Sequence, residues 1–350
     1  MGLFGKKKKQ EVVKELPLHT RHKDRVAYAS GNHFKDKADP QSADTNVKTL
    51  SGENVKNEKE GDYHQLGEDG DEIEIKPPTP IFTYFVSAIQ VFTLVLPLLT
   101  CTIAPFAINP MIGPYPTILD DWGAKNTYKL VVDGQWSRLF MPIFLHSGVI
   151  HLLGNLAIQL DQCKLYEQQW GIVLYSFIYI ATGISGCVFS AVSMPGSLGV
   201  GGSGAIMGVL GARIGEGLVK YYDAGGGIDD LCVTGVSVIF VLLMSFVPFV
   251  DWPAHVGGMA SGFVLGLIAF SHQNFWGRYG CKVFSVIAGV ALFFAFDILF
   301  GALFFIDLSP YEYLADICQY YTDYYAQFGE EFVCECYDNR LRDFWYYISS

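Results

Sequence analysis

The sequence predicts an all-α polytopic membrane protein, and three observations carry that prediction. Hydrophobic residues make up 51% of the chain, yet they are concentrated in residues 81–305, between a polar stretch at 1–80 and an acidic, aromatic stretch at 306–350. Within 81–306 the apolar residues form seven segments, each near the roughly 20 residues that a helix needs to cross a bilayer. The connections between them differ in basic content in the way that membrane loops do. Lipid offers the backbone no hydrogen-bond partner, so such segments are expected to be helices.

Residues 1–80 lack apolar periodicity and are rich in Asp, Glu, Lys, Asn and Gly, which predicts a disordered cytosolic tail. The basic start is not followed by an apolar run, so no cleavable signal peptide is expected. Gly2 is followed at position 6 by Lys6 rather than a hydroxyl residue, which does not fit N-myristoylation. The run Lys6, Lys7, Lys8, Lys9 suits a solvated contact with anionic lipid. Pro77-Pro78-Thr79-Pro80 marks the junction with the transmembrane domain, 81–306.

The predicted spans are Ile81–Ile108, Phe144–Gln162, Gly171–Val192, Ser203–Lys220, Leu231–Val250, Ala254–Ser271 and Val283–Ile306. The long connection at 109–143 carries Trp122, Tyr128, Trp136 and Arg138, a composition expected at a membrane interface. Arg213 and Glu216 are read as a cytosol-facing interfacial pair, and Asp297 as a residue turned towards the bundle. Residues 307–350 form an acidic, Tyr-rich C-terminal tail. Its stretch Tyr311–Phe328 reads either as a helix lying on the outer membrane interface or as a loose acidic segment.

With the N-terminus cytosolic, the cytosolic loops hold Lys164, Lys220, Arg278 and Lys282, whereas the short outer loops around 193–202 and 251–253 hold no Lys or Arg. This pattern makes the C-terminal tail extracytoplasmic and predicts a multi-pass protein of the plasma membrane or secretory pathway. The net charge of −11 offers no basic surface for nucleic acid. Of eight cysteines, five lie in or beside apolar spans and read as small hydrophobes. Cys318, Cys334 and Cys336 could supply one disulfide in an extracytoplasmic tail. No metal-ligand spacing is evident, and no cofactor is expected.

Two polar residues stand out inside the spans. Ser203 lies in Gly199-Val200-Gly201-Gly202-Ser203-Gly204-Ala205, and His255 in Ala254-His255-Val256-Gly257-Gly258-Met259-Ala260-Ser261-Gly262. Polar groups are costly in lipid and mark function by default. The predicted orientation starts both spans at the outer face, so the two residues share a depth. A serine becomes a nucleophile beside a base, and histidine is the commonest base. The second segment offers His146-Ser147-Gly148-Val149-Ile150-His151-Leu152-Leu153-Gly154-Asn155. His151 and Asn155 are four apart and share a helix face. With the Ser203 backbone N–H they would give three donors for an oxyanion. Taken singly, these features have plainer readings: a serine that packs in a Gly-rich helix, or Gly258, Gly262 and Gly266 as a helix-packing stripe. Their conjunction near one surface favours catalysis.

With those residues in view, the chain resembles the rhomboid family of intramembrane serine proteases. The resemblance rests on His146 to Asn155, on Gly201-Gly202-Ser203-Gly204, and on Ala254-His255-Val256-Gly257-Gly258 with Gly262. It implies a rhomboid-like six-helix core plus one C-terminal transmembrane helix, as in the eukaryotic secretory-pathway branch. It also implies a Ser–His dyad without a third acid, and single-span membrane proteins as substrates. Arg138 matches the family arginine of the first outer loop, but Ser137 stands where the family usually has Trp. Met207 stands where the family often has an aromatic ring packed on the histidine, which predicts a less firmly oriented His255. Gly202 precedes Ser203 where inactive relatives commonly carry proline, which favours activity. Two other readings stay open: an inactive relative that binds membrane clients, and a transporter or channel with His151, Asn155 and His255 along a polar path.

Overall fold

The computed structural model of the protein describes residues 63–66, 72–101, 103–224, 228–245 and 250–270, ten residues between 287 and 302, and residues 303–329, 332 and 334. The chain divides into two compact units, Met1–Pro77 and Pro78–Ser350. In the first, Tyr63–Leu66 (β1) pairs antiparallel with Glu72–Ile75 (β2), with Tyr63 opposite Ile75 and Leu66 opposite Glu72. Two short strands therefore stand where the sequence predicts no structure. Glu-Ile-Glu-Ile alternates, and Gly67 and Gly70 lie between the strands, which is a weak hairpin pattern inside a strongly polar stretch. Lys6–Lys9 lie outside the described residues.

The second unit is a helix bundle. Helix α1 (Ile81–Thr100) starts directly after Pro80 and has no cap of its own. Its first-turn donors are instead taken up by another helix: the Glu167 carboxylate accepts from Phe82 N, Thr83 N and Thr83 Oγ1 at 2.9, 2.8 and 2.6 Å. An anion at a helix N-terminus meets both the orphan N–H groups and the helix dipole. The long connection is ordered. It holds α2 (Pro116–Asp121), α3 (Thr127–Val131) and two 3₁₀ turns, Trp136–Leu139 and Met141–Ile143.

The second helical segment begins later than predicted. Helix α4 (Val149–Ile158) runs through a π-helical turn, Gln159–Cys163, into α5 (Lys164–Trp170). The apolar residues at 144–148 are not its first turn, because Val149 N and Ile150 N donate to Ile112 O and Met111 O of the long connection. His146 therefore precedes the helix. The remaining helices are α6 (Ile172–Ser193), α7 (Ser203–Ala224), α8 (Ile228–Met244) and α9 (Trp252–Phe270). The described residues between 287 and 302 are helical and lead into a 3₁₀ turn, Leu303–Phe305. Asp297 lies outside the described residues.

Helices α1, α6 and α9 are long and apolar enough to cross a membrane. Large apolar side chains face outward, among them Leu99 (78% exposed), Val173 (80%) and Val236 (67%). The centre is α7, whose Ala205, Ile206, Met207, Val209, Leu210 and Ala212 are all buried. This explains why α7 carries charges and still lies inside. Arg213 and Glu216 are buried, with Arg213 Nη1 donating to Glu216 Oε2 at 2.9 Å, Trp170 Nε1 donating to the same oxygen, and Arg213 lying over the Tyr166 ring. The expected interfacial pair is thus an internal one, closed by aromatic residues of α5.

Helices α7 and α9 meet along small residues. A Cβ at Gly258 would lie 2.1 Å from Gly204 O, one at Gly262 1.9 Å from Gly208 O, and one at Gly266 2.3 Å from Ala212 O. The α9 stripe predicted from sequence therefore fits a matching stripe on α7. Lipid tails are as apolar as Leu, so close backbone packing is what holds such helices together.

Replacing Gly262 with Leu is expected to destabilise the bundle by more than the about 1–3 kcal/mol of ordinary overpacking, because the obstacle is backbone. Gly235 on α8 has nothing within 4 Å of its Cβ position, so Gly235→Leu should stay within about 0.5 kcal/mol. Thermal unfolding of the two variants in detergent checks this, and equal midpoints would contradict it.

Candidate active site

Ser203 is the first residue of α7, and the strand-like approach to it is fixed on both sides. Gly199 exchanges backbone hydrogen bonds with Lys125, Val200 bridges Val250, and Gly201 N donates to Pro142 O. Gly201 has φ +134°, a conformation in which a side chain is strained. A Cβ there would also lie 2.8 Å from His151 Cε1, 3.0 Å from His151 Nε2 and 3.2 Å from Ser203 Oγ. His151 Nε2 and Ser203 Oγ therefore border one small space that only glycine leaves open. One at Gly202 would lie 2.4 Å from Gln90 Nε2, so the turn before Ser203 also packs tightly on α1.

His255 sits in the first turn of α9, buried, with Nε2 2.6 Å from Ser203 Oγ. Its helix is capped by Asp251, whose Oδ1 accepts from Ala254 N at 3.2 Å. Asp251 also accepts from Ser190 Oγ and lies 3.8 Å from Lys125 Nζ. Lys125 is fully buried and donates to Ser190 Oγ, Met194 O and Ser197 Oγ. Burial lowers its pKa from the usual lysine value, and Asp251 opposes that shift.

On α4, His151 and Asn155 are both buried and one turn apart, as their spacing predicts. Ser147 Oγ lies 2.9 Å from His151 Nδ1, while His151 Nε2 has no hydrogen-bond partner among the described residues. Asn155 Nδ2 donates to His146 Nε2 at 2.9 Å, so one of its two N–H groups is engaged there. Met207 is buried in the core one turn after Ser203.

The long connection forms a plate beside this site. Arg138 Nη1 donates to Asp120 O, Asp120 Oδ1 and Ala124 O, and its Nε to Gln135 Oε1. Trp122 is buried within the plate rather than placed at an interface, packed with Ile118, Leu119 and Leu145. Trp136 is half-exposed and lies 5.9 Å from the rings of Phe300 and Phe304, next to the C-terminal span.

The described part of the C-terminal tail is not loose: it is partly helical, as one of the two expected forms had it, and it packs on the loops. Helix α10 (Ile317–Ala326) and the 3₁₀ turn Ser309–Leu314 dock on the loops. Asn126 Nδ2 donates to Leu314 O, and Tyr313 OH donates to Gly196 O. Phe332 meets the ring of Tyr115 edge-on. A Cys318–Cys334 disulfide closes the tail on itself. Cys101, read from sequence as a small hydrophobe, is also disulfide-bonded. A cavity of about 270 Å³ lies between this cap and the loops, bordered by Ser197, Asp251, Tyr313 and Tyr320. A second, of about 20 Å³, is bordered by Ser203, Gly201, Cys187 and Asp251. Asp251 lines both.

Comparison with known proteins bears on this arrangement. Residues 133–272, which contain Ser203, His255, His151 and Asn155, match the rhomboid domain. The chain carries a rhomboid domain. Over 179 residues, 49% of the chain, it is 36% identical to RHOMBOID-like protein 7 of Arabidopsis thaliana, covering 54% of that protein. It is 33% identical to RHOMBOID-like protein 6, mitochondrial, of the same plant over 182 residues, 50% of the chain and 57% of the relative. Rhomboid-like protease 5 of Toxoplasma gondii is 33% identical over 161 residues, 44% of the chain and 18% of the relative. The chain thus spans about half the length of the plant relatives it matches.

Sequence reasoning about this rhomboid domain missed three things at the site. Ser245, at the end of α8, lies 2.6 Å from His255 Nδ1. Lys125 and Asp251, both in loops, were not singled out. The C-terminal cap was read as surface. A serine in an apolar run and a lysine in a loop carry no sequence signal that sets them apart.

Two cations share Asp120: buried Arg138 and the more exposed Lys129, at 3.0 and 2.5 Å. Arg138→Ala is expected to destabilise by about 3–5 kcal/mol, as breaking a buried pair does. Lys129→Ala should cost about 1 kcal/mol or less. Denaturant titration in detergent distinguishes them, and comparable losses would mean that Asp120 does not depend on Arg138.

Proposed function

We propose that the protein is an intramembrane serine endopeptidase that cleaves single-span membrane proteins near the outer boundary of the bilayer. The observation that carries this reading is the 2.6 Å approach of His255 Nε2 to Ser203 Oγ in a buried site. The names of the Toxoplasma gondii relatives, rhomboid-like proteases 5 and 2, agree with it.

On this reading Ser203 Oγ attacks the scissile carbonyl carbon while its proton passes to His255 Nε2. The carbonyl π electrons move onto oxygen. That oxyanion is held by the Ser203 N–H and His151 Nε2–H, with Asn155 as a further donor. Collapse breaks the C–N bond, and the proton on Nε2 goes to the leaving amine. Water then repeats the sequence on the acyl-enzyme. A water needs about 10–15 Å³, and the 20 Å³ cavity beside Ser203 is large enough for one.

That cavity is too small for a peptide, so a substrate must displace a wall. The cavity is lined by the loops, α6, α7 and the start of α9, and the route for a substrate is placed beside them, at α8. Gln162 donates to Ser237, and Tyr166 OH lies 3.1 Å from Thr234 Oγ1, which ties one half of α8 to the second helical segment. The other half, residues 238–243, is apolar, with Val238, Val241 and Leu242 packed on the core, and it carries no side-chain hydrogen bond to a neighbouring helix among the described residues, so its outward movement would break apolar contacts only. Substrates then approach sideways between the second and fifth spans. Basic-loop topology gives a cytosolic N-terminus and an extracytoplasmic C-terminus. The Cys318–Cys334 disulfide agrees, since disulfides persist on the oxidising side of the secretory pathway or plasma membrane.

Ser203→Ala should abolish cleavage of a co-expressed panel of single-span substrates without loss of folding. Full cleavage by the purified variant would remove this reading and favour a client-binding role. Asn155→Ala should lower turnover, by less than the about 10²–10³-fold seen when a sole oxyanion donor is lost, and leave substrate affinity unchanged.

The cut is expected near the substrate's outer boundary, and residues that break its helix there should speed cleavage, because helical carbonyls are already hydrogen-bonded. Mass spectrometry of the products tests this. Cuts at the cytosolic boundary would reverse the orientation.

A further inference from the structure

The geometry points to Ser245 as a positioning residue that holds His255 in the tautomer a general base requires. The inference rests on the proposed Ser203–His255 chemistry and adds a third group to it.

The argument is a count of protons. Ser245 Oγ lies 2.6 Å from His255 Nδ1, and also 3.0 Å from Val241 O, one turn back on α8. A hydroxyl has a single proton and two lone pairs. A carbonyl can only accept, so the Ser245 proton goes to Val241 O. The Ser245 oxygen is left as an acceptor towards Nδ1, and Nδ1 must carry the ring proton. A neutral imidazole with its proton on Nδ1 presents a lone pair at Nε2, where Ser203 Oγ lies at 2.6 Å. The chain Ser203 O–H, His255, Ser245, Val241 C=O then runs with every donor facing an acceptor.

The same contact acts during the reaction. When His255 accepts the Ser203 proton, its Nδ1–H bond to Ser245 becomes charge-assisted and stronger. Ser245 keeps its own proton throughout, so it orients and stabilises the base without passing a proton. The ring has no other side-chain partner of this kind among the described residues. Met207, buried one turn after Ser203, has no hydrogen-bond donor. The titratable groups near the ring are His151 on α4, Asp251 at the start of α9, and Lys125 behind Asp251. None of them is shown bonding to Nδ1. Ser245 directly follows α8, so displacement of α8 on the proposed substrate route would change the grip on the base as a substrate is admitted.

The test uses the full chain in detergent and a fluorophosphonate probe. Ser203 Oγ forms a bond to phosphorus, fluoride leaves, and the Ser203 proton goes to His255. Labelling rates are measured from pH 5 to 9 for wild type, Ser203→Ala, Ser245→Ala, Ser245→Thr and Ser245→Val. Thr and Val have nearly the same shape and differ by the hydroxyl, so this pair separates hydrogen bonding from packing. Ser245→Val and Ser245→Ala should label about 10- to 100-fold more slowly at neutral pH, within the range a positioned base supplies. Their acid limb should move to lower pH, because the protonated ring has lost its acceptor. Ser245→Thr should restore both rate and profile. If wild type labels, Ser203→Ala does not, and Val matches Thr in rate and profile, the role of Ser245 is overturned while the dyad stands. If wild type does not label at all, the serine-hydrolase reading fails and this inference fails with it.

Discussion

The structure depends on the contact between α7 and α9. Gly204, Gly208 and Ala212 on one helix meet Gly258, Gly262 and Gly266 on the other with no room for a side chain between the backbones. A bilayer supplies no hydrophobic force to press helices together, so stability comes from contact density, and small residues maximise it. The consequence is chemical. Ser203 stands at the start of α7 and His255 in the first turn of α9, so the spacing of the two axes sets the 2.6 Å separation of their side chains. A slightly wider crossing would leave two polar residues apart in an apolar medium. The glycine stripe is therefore a catalytic requirement on the proposed reading as much as a packing one.

Around that seam, several buried polar groups are paired across elements. Glu167 caps α1 from α5. Gln90 of α1, Gln159 of the π-helical turn and Tyr179 of α6 bond one another. Arg138 gathers the long connection onto Asp120 and Ala124. An unpaired polar group away from water is expensive, so each such pair fixes one relative placement of two elements. Glycine sets how near the helices come, and these hydrogen bonds set their register.

Much of this was legible in the sequence because lipid imposes strict rules. Length and hydropathy marked the helices, and Ser203 begins its helix where the glycine-rich run predicts. The expectation that Ser203 and His255 share a depth came from basic residues in loops remote from both, and the two side chains do meet, 2.6 Å apart. What was not legible shares one cause: it depends on tertiary contacts. The start of α4 slid from 144 to 149 because backbone carbonyls at 111 and 112 meet its first donors. Arg213 and Glu216 looked interfacial because burial of charge needs partners, and Trp170 and Tyr166 come from another helix. Tyr313 and Leu314 looked like surface until Gly196 and Asn126 were found beneath them. Ser245 was one serine at the end of an apolar run.

The two helix starts impose opposite electrostatic demands, and the sequence answers both. A helix N-terminus favours negative charge and opposes positive charge. At Ser203 this serves the proposed reaction, because the developing oxyanion lies beside the first free N–H of α7. At His255 it works against the reaction, because the ring must carry a positive charge in the first turn of α9. Asp251 resolves the conflict. Its carboxylate caps α9 at Ala254 N, which uses one of the free donors, and places a negative charge four residues before His255. Lys125, buried behind it with three oxygen acceptors, and Ser190 hold that carboxylate in place. The loops that position the cap thus also set the charge at the base, which gives the ordered plate and the docked C-terminal segment a physical reason to sit where they do.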